Sequence, residues 1–350
     1  MKKIALLFLF PFFVMSCKSD KFLISNPRFT KVVVDTLYSE KISCRALLID
    51  SNRVWYAGNG GKYGYISLDN SANYNGVVNK DNLKLEFRSI AHNSSSVFIL
   101  SVANPGLLYK IDKKNKSIDL VYEEKGDKVF YDSMTFLNEK EGIAVGDPTS
   151  VCPSIIVTNN GGLSWEKLDC LNLPKFEEGE AFFAASNTNI IYRNKTLFMI
   201  SGGKSSRVFT SMDKGRTWQI NKTPIIQGQA MNGAFCADFY DDEIGIIAGG
   251  NYEKLDQNFK NKALTTDGGK SWELVSDNQA FGYASCIQFL PNSGGRSILE
   301  VGATGIFYSR DKGSSWTQLA PDKDLIAFRF IDDKTAIASG KNRIVKLTLQ

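Results

Sequence analysis

The sequence predicts an all-β fold, a seven-bladed β-propeller closed by pairing of an N-terminal strand with the C-terminal blade. Three observations lead to this prediction. An eight-residue pattern occurs four times, apolar strands that end at a small residue recur along the chain, and no window of useful length shows the 3.6-residue period of a helix. With 350 residues, 43% of them hydrophobic, the chain can bury a core of the required size.

The eight-residue pattern is Ser/Thr-x-Asp/Asn-x-Gly-x-Ser/Thr-Trp, and its four copies, here called the octets, are residues 158–165, 211–218, 265–272 and 309–316. In such a pattern the Asp or Asn side chain and the hydroxyls can bond turn amides, glycine accepts a positive φ, and tryptophan returns to the core. We therefore interpret the octets as structural hairpin turns. Their defining residues are Asn160, Gly162, Trp165, Asp213, Gly215, Trp218, Asp267, Gly269, Trp272, Asp311, Gly313 and Trp316.

The second repeat is an apolar strand that ends in glycine, or once in serine. It occurs at residues 54–58, 97–101, 143–146, 197–202, 246–249, 298–302 and 336–340. These seven units each have a length suited to a four-stranded blade. After Gly340 only the strand 344–349 can be drawn, so the last blade lacks one strand. Residues 31–36 have no hairpin partner of their own, and we expect them to pair with the C-terminal strand and remove exposed edges.

The first 16 residues are predicted to be a signal peptide, with Lys2 and Lys3 before an apolar stretch at 4–14 that is too short to span a bilayer. The segment 14–17, Val-Met-Ser-Cys, resembles the lipobox of bacterial lipoproteins, which implies a lipid on Cys17. The alternative is an ordinary secretory signal that ends by chance in cysteine. Residue 18 is not aspartate, and in Gram-negative lipoproteins this favours the outer membrane. We expect a lipidated tether at 17–30 and a single propeller over 31–350.

The charge balance limits the classes of partner. Lys plus Arg number 42 against 37 for Asp plus Glu, a net charge of +5 that falls to +3 without the two lysines of the leader. There is no basic run, so nucleic acid is not an expected partner. The single histidine, His92, excludes sites that need two imidazoles, and we expect no metal and no cofactor.

The cysteines point mainly to packing and to one bridge. Cys152 and Cys170 lie symmetrically about the first octet turn, so an antiparallel hairpin could bring them to disulfide distance in an exported protein. Two separate small core residues are the alternative. Cys44, Cys236 and Cys286 begin similar strands and are interpreted as packing residues, with a bridge between the last two as a second reading.

Candidate functional residues come from loops that a propeller gathers on one face. Asp132, Asp147 and Glu180 could supply the paired carboxylates of glycoside hydrolysis, although acidic residues are also common in exposed loops. The remaining candidates are ligand-binding residues of the same face: Arg207, Asn232, Tyr252 and Tyr283. The tyrosines could stack on a sugar, and the arginine could pair with Glu180 or hold an anionic ligand.

The octets resemble the Asp-box, or bacterial neuraminidase repeat, which lies at the outer edge of propeller blades and carries no catalysis. Together with the glycine-ended strands and the segment 179–187, they make nearly the whole mature chain resemble the seven-bladed propellers related to the photosystem II assembly and stability factor. That resemblance implies a scaffold that holds an envelope protein or an assembly intermediate. Sialidases share the repeat, but the nearest match to their Phe-Arg-Ile-Pro motif, residues 87–90, lacks the proline.

The function expected from the sequence is that of a noncatalytic, monomeric envelope lipoprotein whose propeller face binds a protein or a glycan. The alternative is a glycoside hydrolase of the Asp-box propeller type that uses the paired carboxylates. A structure distinguishes the two, because hydrolysis needs two carboxyl groups about 5 to 9 Å apart across an open cleft.

Overall fold

Strands form wherever the sequence gives a short apolar run between turn residues. The structure is a computed structural model that describes residues 25–69 and 71–350, so the predicted signal peptide and Cys17 lie outside the described residues. Within these two ranges, no helix is long and apolar enough to cross a membrane.

The strands follow one another along the chain. The first twelve are β1 (Val32–Asp50), β2 (Arg53–Gly58), β3 (Lys62–Ser67), β4 (Tyr74–Val77), β5 (Phe87–His92), β6 (Ser96–Ser101), β7 (Gly106–Asp112), β8 (Ile118–Glu124), β9 (Tyr131–Phe136), β10 (Gly142–Gly146), β11 (Ser154–Thr158) and β12 (Glu166–Lys167). A short 3₁₀ helix, Cys170–Asn172, follows them. The middle strands are β13 (Glu180–Ala181), β14 (Ile190–Arg193), β15 (Thr196–Ile200), β16 (Gly202–Gly203), β17 (Arg207–Ser211) and β18 (Gln219–Lys222). The last ten are β19 (Asn232–Phe239), β20 (Gly245–Asn251), β21 (Lys262–Thr265), β22 (Glu273–Leu274), β23 (Ala284–Phe289), β24 (Ile298–Gly302), β25 (Gly305–Ser309), β26 (Thr317–Ala320), β27 (Leu325–Phe330) and β28 (Thr335–Leu349).

Hydrogen bonds join these strands into antiparallel sheets arranged as a β-propeller, which confirms the predicted all-β propeller class. Four sheets have four strands each: β5–β6–β7–β8, β9–β10–β11–β12, β14–β15–β17–β18 and β23–β24–β25–β26. Two sheets have six strands, in the orders β27–β28–β1–β2–β3–β4 and β13–β16–β19–β20–β21–β22.

The predicted number of seven blades is wrong, because the described strands make six sheets. The repeat count treated residues 31–36, 336–340 and 344–349 as separate strands. Instead β1 has 19 residues and runs on from 31–36 toward the first unit, and β28 has 15 residues and joins 336–340 to 344–349. The first and last units therefore share one sheet.

The predicted pairing of residues 31–36 with the C-terminal strand is present, but the predicted closure of a separate seventh blade by that pairing is wrong. The strands β1 and β28 pair antiparallel, with Val32 opposite Leu349 and Ser43 opposite Lys341. This pairing lies inside the shared six-stranded sheet, which continues through β1 into β2, β3 and β4. It does not complete a seventh blade.

The core consists of apolar clusters between neighbouring sheets. The octet tryptophans belong to these clusters: Trp272 packs edge-on against Phe239 at 6.0 Å, and Trp316 against Phe281 at 4.9 Å between ring centroids. Burying one large aromatic ring contributes roughly 2 to 3 kcal/mol relative to leaving it exposed. Each of these rings therefore fastens an outer turn to the interior.

The octets form the turns that precede the outermost strands β12, β18, β22 and β26. In the second octet the Ser211 hydroxyl donates to Asp213 at 2.8 Å and accepts from the Gly215 amide at 2.7 Å. Gly215 has a φ of +86°, a conformation in which a Cβ is strained. The Trp218 indole N–H donates to the Gly215 carbonyl at 3.1 Å. Local bonds of this kind satisfy the turn without any ligand.

Cys152 and Cys170 form a disulfide, with their Cα atoms 5.7 Å apart. It ties the segment after β12 back to the start of β11. Cys44, Cys236 and Cys286 are free and fully buried, so the alternative bridge between the last two is not formed in the described structure.

Candidate functional site

The inner strands carry an irregularity that the periodicity of the sequence did not reveal. In β5, β9, β19, β23 and β27 one residue near the start of the strand is skipped in the pairing with its neighbour, and in β1 one residue of its second half is skipped. Such a β-bulge turns a side chain away from the alternation of the strand. The bulge residues are Arg45, Arg88, Asp132, Phe235, Ser285 and Ile326.

These inner strands follow one another in ring order around the centre of the propeller, with β14 between β9 and β19. The bulges therefore place two arginines, one aspartate and one phenylalanine at the same end of the central channel. A sequence signal for them exists in hindsight, since a small residue follows each bulge: Ala46, Ser89, Ser133, Cys236, Cys286 and Ala327. Cys44 lies before its bulge, so the predicted equivalence of Cys44 with Cys236 and Cys286 is two residues out of register.

The channel is filled by residues 183–187, here called the plug, which lie between β13 and β14. Arg45 from β1 donates to the Ala185 carbonyl at 3.4 Å, and Arg329 from β27 donates to the Ser186 carbonyl at 2.8 Å. Both strands belong to the shared six-stranded sheet, and Phe183 of the plug also stacks on Phe235 of β19 in another sheet, so the plug lies in the channel between the sheets.

The far end of the plug is held by the side chain of Asn187, a residue whose backbone φ is +60°. Its amide oxygen accepts from the Met134 backbone N–H at 2.9 Å, and its amide nitrogen donates to the Ile90 carbonyl at 2.8 Å. The two bonds join the plug to β9 and β5. The plug therefore closes the channel and forms the floor of the space above it.

Above the plug lies a pocket of about 430 Å³, here called the mouth pocket. Its lining comes from several sheets and from the loops before their inner strands. The lining residues are Arg45, Arg88, Phe130, Asp147, Ala181, Phe182, Phe183, Ala184, Ala185, Ala230, Met231, Phe235, Tyr252 and Tyr283.

One wall of the mouth pocket is aromatic. Phe235 stacks on Phe183 at 3.7 Å and meets Tyr283 edge-on at 4.8 Å. Tyr283 in turn meets Tyr252 at 5.2 Å, and 44% of Tyr252 is exposed. Rigid aromatic rings supply apolar contact area at low entropic cost. The predicted ligand residues Tyr252 and Tyr283 thus both line the pocket, and Phe235 and Phe183 are the partners that sequence reasoning missed.

The opposite side of the pocket is cationic. Among the described residues, Arg45 makes no ion pair, and its buried Nε has no hydrogen-bond partner. Arg88 donates from Nε to the Glu86 carboxylate at 2.8 Å. A guanidinium has five N–H donors, so both arginines keep donors for a ligand. An unpartnered N–H in a partly buried site is unfavourable until an acceptor arrives.

Two carboxyl groups lie beside the arginines. Asp132 is fully buried, and neither of its oxygens has a hydrogen-bond partner within the described part of the chain. Burial, and then the nearby Asp147 carboxylate, raise the pKa of Asp132 well above its usual range. Burial also raises the pKa of Asp147 to about 6, although its carboxylate accepts from the Phe182 backbone N–H at 2.7 Å.

The third predicted carboxylate, Glu180, is not part of this pair. It is buried and accepts from the Arg207 Nε at 2.9 Å and from the Glu177 backbone N–H at 2.8 Å. Arg207 is also buried and donates to the Lys175 carbonyl at 2.8 Å. The expectation that all three carboxylates converge at one mouth is therefore wrong, and Arg207 is engaged with Glu180 rather than with the mouth pocket.

Asn232 stands at the start of β19, opposite Asn251 of β20. Its side chain is buried, and its Oδ1 has no hydrogen-bond partner in the described structure. It does not line the mouth pocket, although the neighbouring Met231 does.

Comparison with known proteins places the chain by its fold. No protein-family model matches the chain, and no curated protein matches it. A solved structure described as YCF48 bound to D1 peptide matches with a TM-score of 0.65 and 12% identity, over 95% of this chain and 99% of that one. YCF48 from Cyanidioschyzon merolae matches with a TM-score of 0.63 and 13% identity, over 91% and 98%.

A WD40 propeller is similar to the same degree. The RRP9 WD40 repeats match with a TM-score of 0.62 and 11% identity, over 92% of this chain and 99% of that one. Identities this low show the shared fold alone. The chain is a β-propeller whose fold is similar to that of YCF48.

Proposed function

We propose that this protein is a noncatalytic envelope lipoprotein with an assembly or scaffold role, whose mouth pocket binds an extended segment of a protein partner. The observation that carries the proposal is the pocket itself. It has a closed floor, an aromatic wall and two arginines with free donors, and it is built from several sheets at once. Pockets with a few convergent polar groups on a mostly apolar lining are typical ligand sites.

The chemistry of the lining favours a segment with an acidic group next to an aromatic or aliphatic side chain. Arg45 and Arg88 can each offer paired N–H donors to a carboxylate, which is the geometry that arginine recognises best. Phe235 and Tyr283 form the apolar surface beside them. A carboxylate would also satisfy the buried Nε of Arg45.

The carboxyl groups argue for the scaffold over the glycoside hydrolase. Of the three predicted catalytic residues, Glu180 is neutralised by Arg207, and Asp132 has no exposed surface. Asp147 alone among the three lines the mouth pocket. Hydrolysis with two carboxyl groups needs both to reach the glycosidic bond.

A protein partner is also supported by the fold comparison. One solved propeller of this fold, YCF48, is described as bound to a D1 peptide. For this chain, the comparison supports a peptide segment as the first ligand to test. A glycan is the other outcome.

The envelope location is part of the proposal and is supported by residues 1–18 of the sequence. The lipobox-like segment 14–17 would place a lipid on Cys17, and residue 18 favours the outer membrane in Gram-negative lipoproteins. The propeller would then act as a monomer on a short tether, facing the periplasm or the cell surface.

The test is selection from a random library of 12-residue peptides, followed by calorimetry on the peptides retained and by incubation with a glycan panel. We expect the retained peptides to combine an acidic with an aromatic residue and to lose about 10-fold or more in affinity in Arg45→Gln. Arg216→Gln is the control, because Arg216 is exposed on the second octet turn.

Two results would overturn the proposal. The first is a set of peptides whose affinity is the same in Arg45→Gln, Arg88→Gln and the unmodified protein. The second is a glycan product whose formation is lost in Asp147→Asn, which would make the protein a hydrolase.

A further inference from the structure

Residues 25–29, which precede the first strand of the propeller, are bound to the sheet β23–β26. The Ser25 backbone N–H donates to the Asn292 carbonyl at 2.9 Å, and the Tyr308 hydroxyl donates to the Pro27 carbonyl at 2.7 Å. The Phe29 ring packs on Tyr308 at 5.2 Å between centroids. The start of the described chain therefore has a fixed place on the rim of the propeller.

Four cationic side chains surround this place: Arg28, Arg296, Arg310 and Lys312, here called the rim patch. They line two adjoining hollows of about 330 and 590 Å³ that share Arg310. The three arginines are exposed and the lysine is half-buried. Within residues 25–69 and 71–350, none of the four forms an ion pair with a carboxylate, so their charges are available to an external anion.

The acidic residue inside the patch does not cancel it. Asp311 lines one hollow, but its carboxylate accepts from the Ser309 hydroxyl at 2.8 Å and from the Ser315 backbone N–H at 2.8 Å. It is committed to the fourth octet turn. Four positive charges against one committed carboxylate leave the rim patch with a net positive charge.

The rim patch and the mouth pocket lie at opposite ends of one strand. Tyr283, which lines the mouth pocket, directly precedes β23. Arg296 follows the other end of β23, in the turn to β24, and its carbonyl accepts from the Lys312 backbone N–H at 2.8 Å. A strand of six residues separates its ends by about 20 Å. The two features therefore face in opposite directions.

We infer that the rim patch binds the anionic phosphate groups of a lipid membrane surface and so holds the mouth pocket facing away from that membrane. The eight Cα-to-Cα steps from Cys17 to Ser25 can span at most about 28 Å, which keeps the rim close to the bilayer when the anchor is in place. Basic residues near an anionic leaflet each strengthen membrane association, and they add to the affinity that a lipid anchor supplies.

This inference rests on the proposed lipid anchor and says how the propeller is oriented on the membrane. Its test does not use a ligand of the mouth pocket. The protein tested is the chain 18–350, which lacks the lipid and contains every described residue and contact. It is mixed with vesicles of 70% phosphatidylethanolamine and 30% phosphatidylglycerol, and with neutral phosphatidylcholine vesicles, and the bound fraction is measured by sedimentation. We expect binding to the anionic vesicles alone, and less of it as salt is raised.

The decisive variant is Arg28→Gln/Arg296→Gln/Arg310→Gln, for which we expect the partition onto anionic vesicles to fall on the order of 100-fold. The matched control is Lys84→Gln/Lys128→Gln/Lys254→Gln, which removes the same charge from exposed positions in loops at the mouth end. We expect this control to bind as the unmodified chain does. Thermal unfolding of both variants checks that they are folded.

Three results would overturn the inference. Equal losses in the two triple variants would show a nonspecific effect of net charge. A loss confined to the mouth-end variant would reverse the orientation. Binding of inorganic phosphate to the chain 18–350, measured by calorimetry, without any binding to vesicles would make the rim patch a site for free phosphate.

Discussion

Two sets of aspartates in this propeller have opposite surroundings. At the rim, the Thr217 backbone N–H and hydroxyl bond the Asp213 carboxylate and lower its pKa to about 2. In the channel, Asp132 is fully buried with no hydrogen bond to either oxygen in the described structure, and burial raises its pKa well above the usual range. The same side chain is thus stabilised as an anion at one place and destabilised at the other.

The difference separates structural positions from ligand positions. A carboxylate that receives several bonds from its own turn contributes to folding and has nothing left to recognise. A buried carboxyl without partners lowers the stability of the fold, and such groups concentrate at functional sites. Asp147 keeps one bond, from the Phe182 backbone N–H, but burial still raises its pKa, and it lines the mouth pocket.

The largest expected effect tests a third arrangement, the sealed pair of Glu180 and Arg207. Glu180→Gln should lower the free energy of unfolding by about 3 to 5 kcal/mol, because it leaves a buried guanidinium without its counter-charge. Denaturant unfolding followed by tryptophan fluorescence measures it. Glu177→Gln is the control, since Glu177 is 51% exposed and lies 3.7 Å from Arg207. Equal effects in the two variants would show that the pair is not buried in solution.

The next largest effect is expected from Asp147, beside the channel, where a substitution should raise the free energy of unfolding. An aspartate with a pKa of about 6 in the folded protein, against 3.8 unfolded, destabilises the fold progressively as the pH rises from about 4 to about 6, and fully above that. Asp147→Asn keeps an acceptor for Phe182 and should therefore be more stable than the unmodified protein at pH 7, by up to about 3 kcal/mol, and equal to it at pH 3.5. A variant that is less stable at pH 7 would contradict the burial of this carboxyl.

Substitution of an aspartate in an octet turn should destabilise the fold, and its effect on the free energy of unfolding should be smaller than that of Asp147→Asn. Asp267 accepts from Thr265 and Ser271, and these bonds outweigh burial and lower its pKa to about 2. Asp267→Ala should lower the free energy of unfolding at pH 7 by about 1 kcal/mol, a modest value because solvent screens an exposed carboxylate. The part of this penalty that depends on the charge should be lost as the pH falls from about 4 through about 2. A penalty of the same size at pH 2 and at pH 7 would mean that the charge is not involved.

The smallest expected effect on stability is at the edge of the mouth pocket. Tyr252→Ala removes a ring that is 44% exposed, so the free energy of unfolding should change by about 0.5 kcal/mol or less. Affinity for the peptides retained by the mouth pocket should nevertheless fall several-fold, because the ring forms part of its aromatic wall. Unchanged peptide affinity would remove Tyr252 from the site. A large loss of stability would show that its role is structural.

The local features of the fold were predictable because their causes are local. Each octet contains the hydroxyl, the carboxylate or amide, and the glycine that its own turn uses, so eight residues suffice to recognise it. The pairing of Cys152 with Cys170 follows from their symmetry about one such turn. Tyr252 and Tyr283 were found because loops of a propeller that face one way can be identified from the strand order.

The rest of the site depends on breaks in the pattern. Arg45, Arg88 and Phe235 sit on β-bulges, and a bulge is defined by how a strand pairs with its neighbour, which periodicity along one strand does not show. Glu180 was grouped with the channel carboxyls because its loop lies on the correct side. Its pairing with Arg207, which begins a strand of another sheet, was decided by packing.

The sequence by itself determined the β-propeller class, the octet turns and the candidate tyrosines, because each rests on residues close together along the chain. Only the tertiary structure decided the number of sheets, since the long strands β1 and β28 bring the two ends of the chain into one of them. It alone also decided the mouth pocket, where the plug closes the channel and bulges from separate sheets meet. Contacts between residues hundreds of positions apart are set by how the sheets close on one another, and no local pattern encodes that geometry.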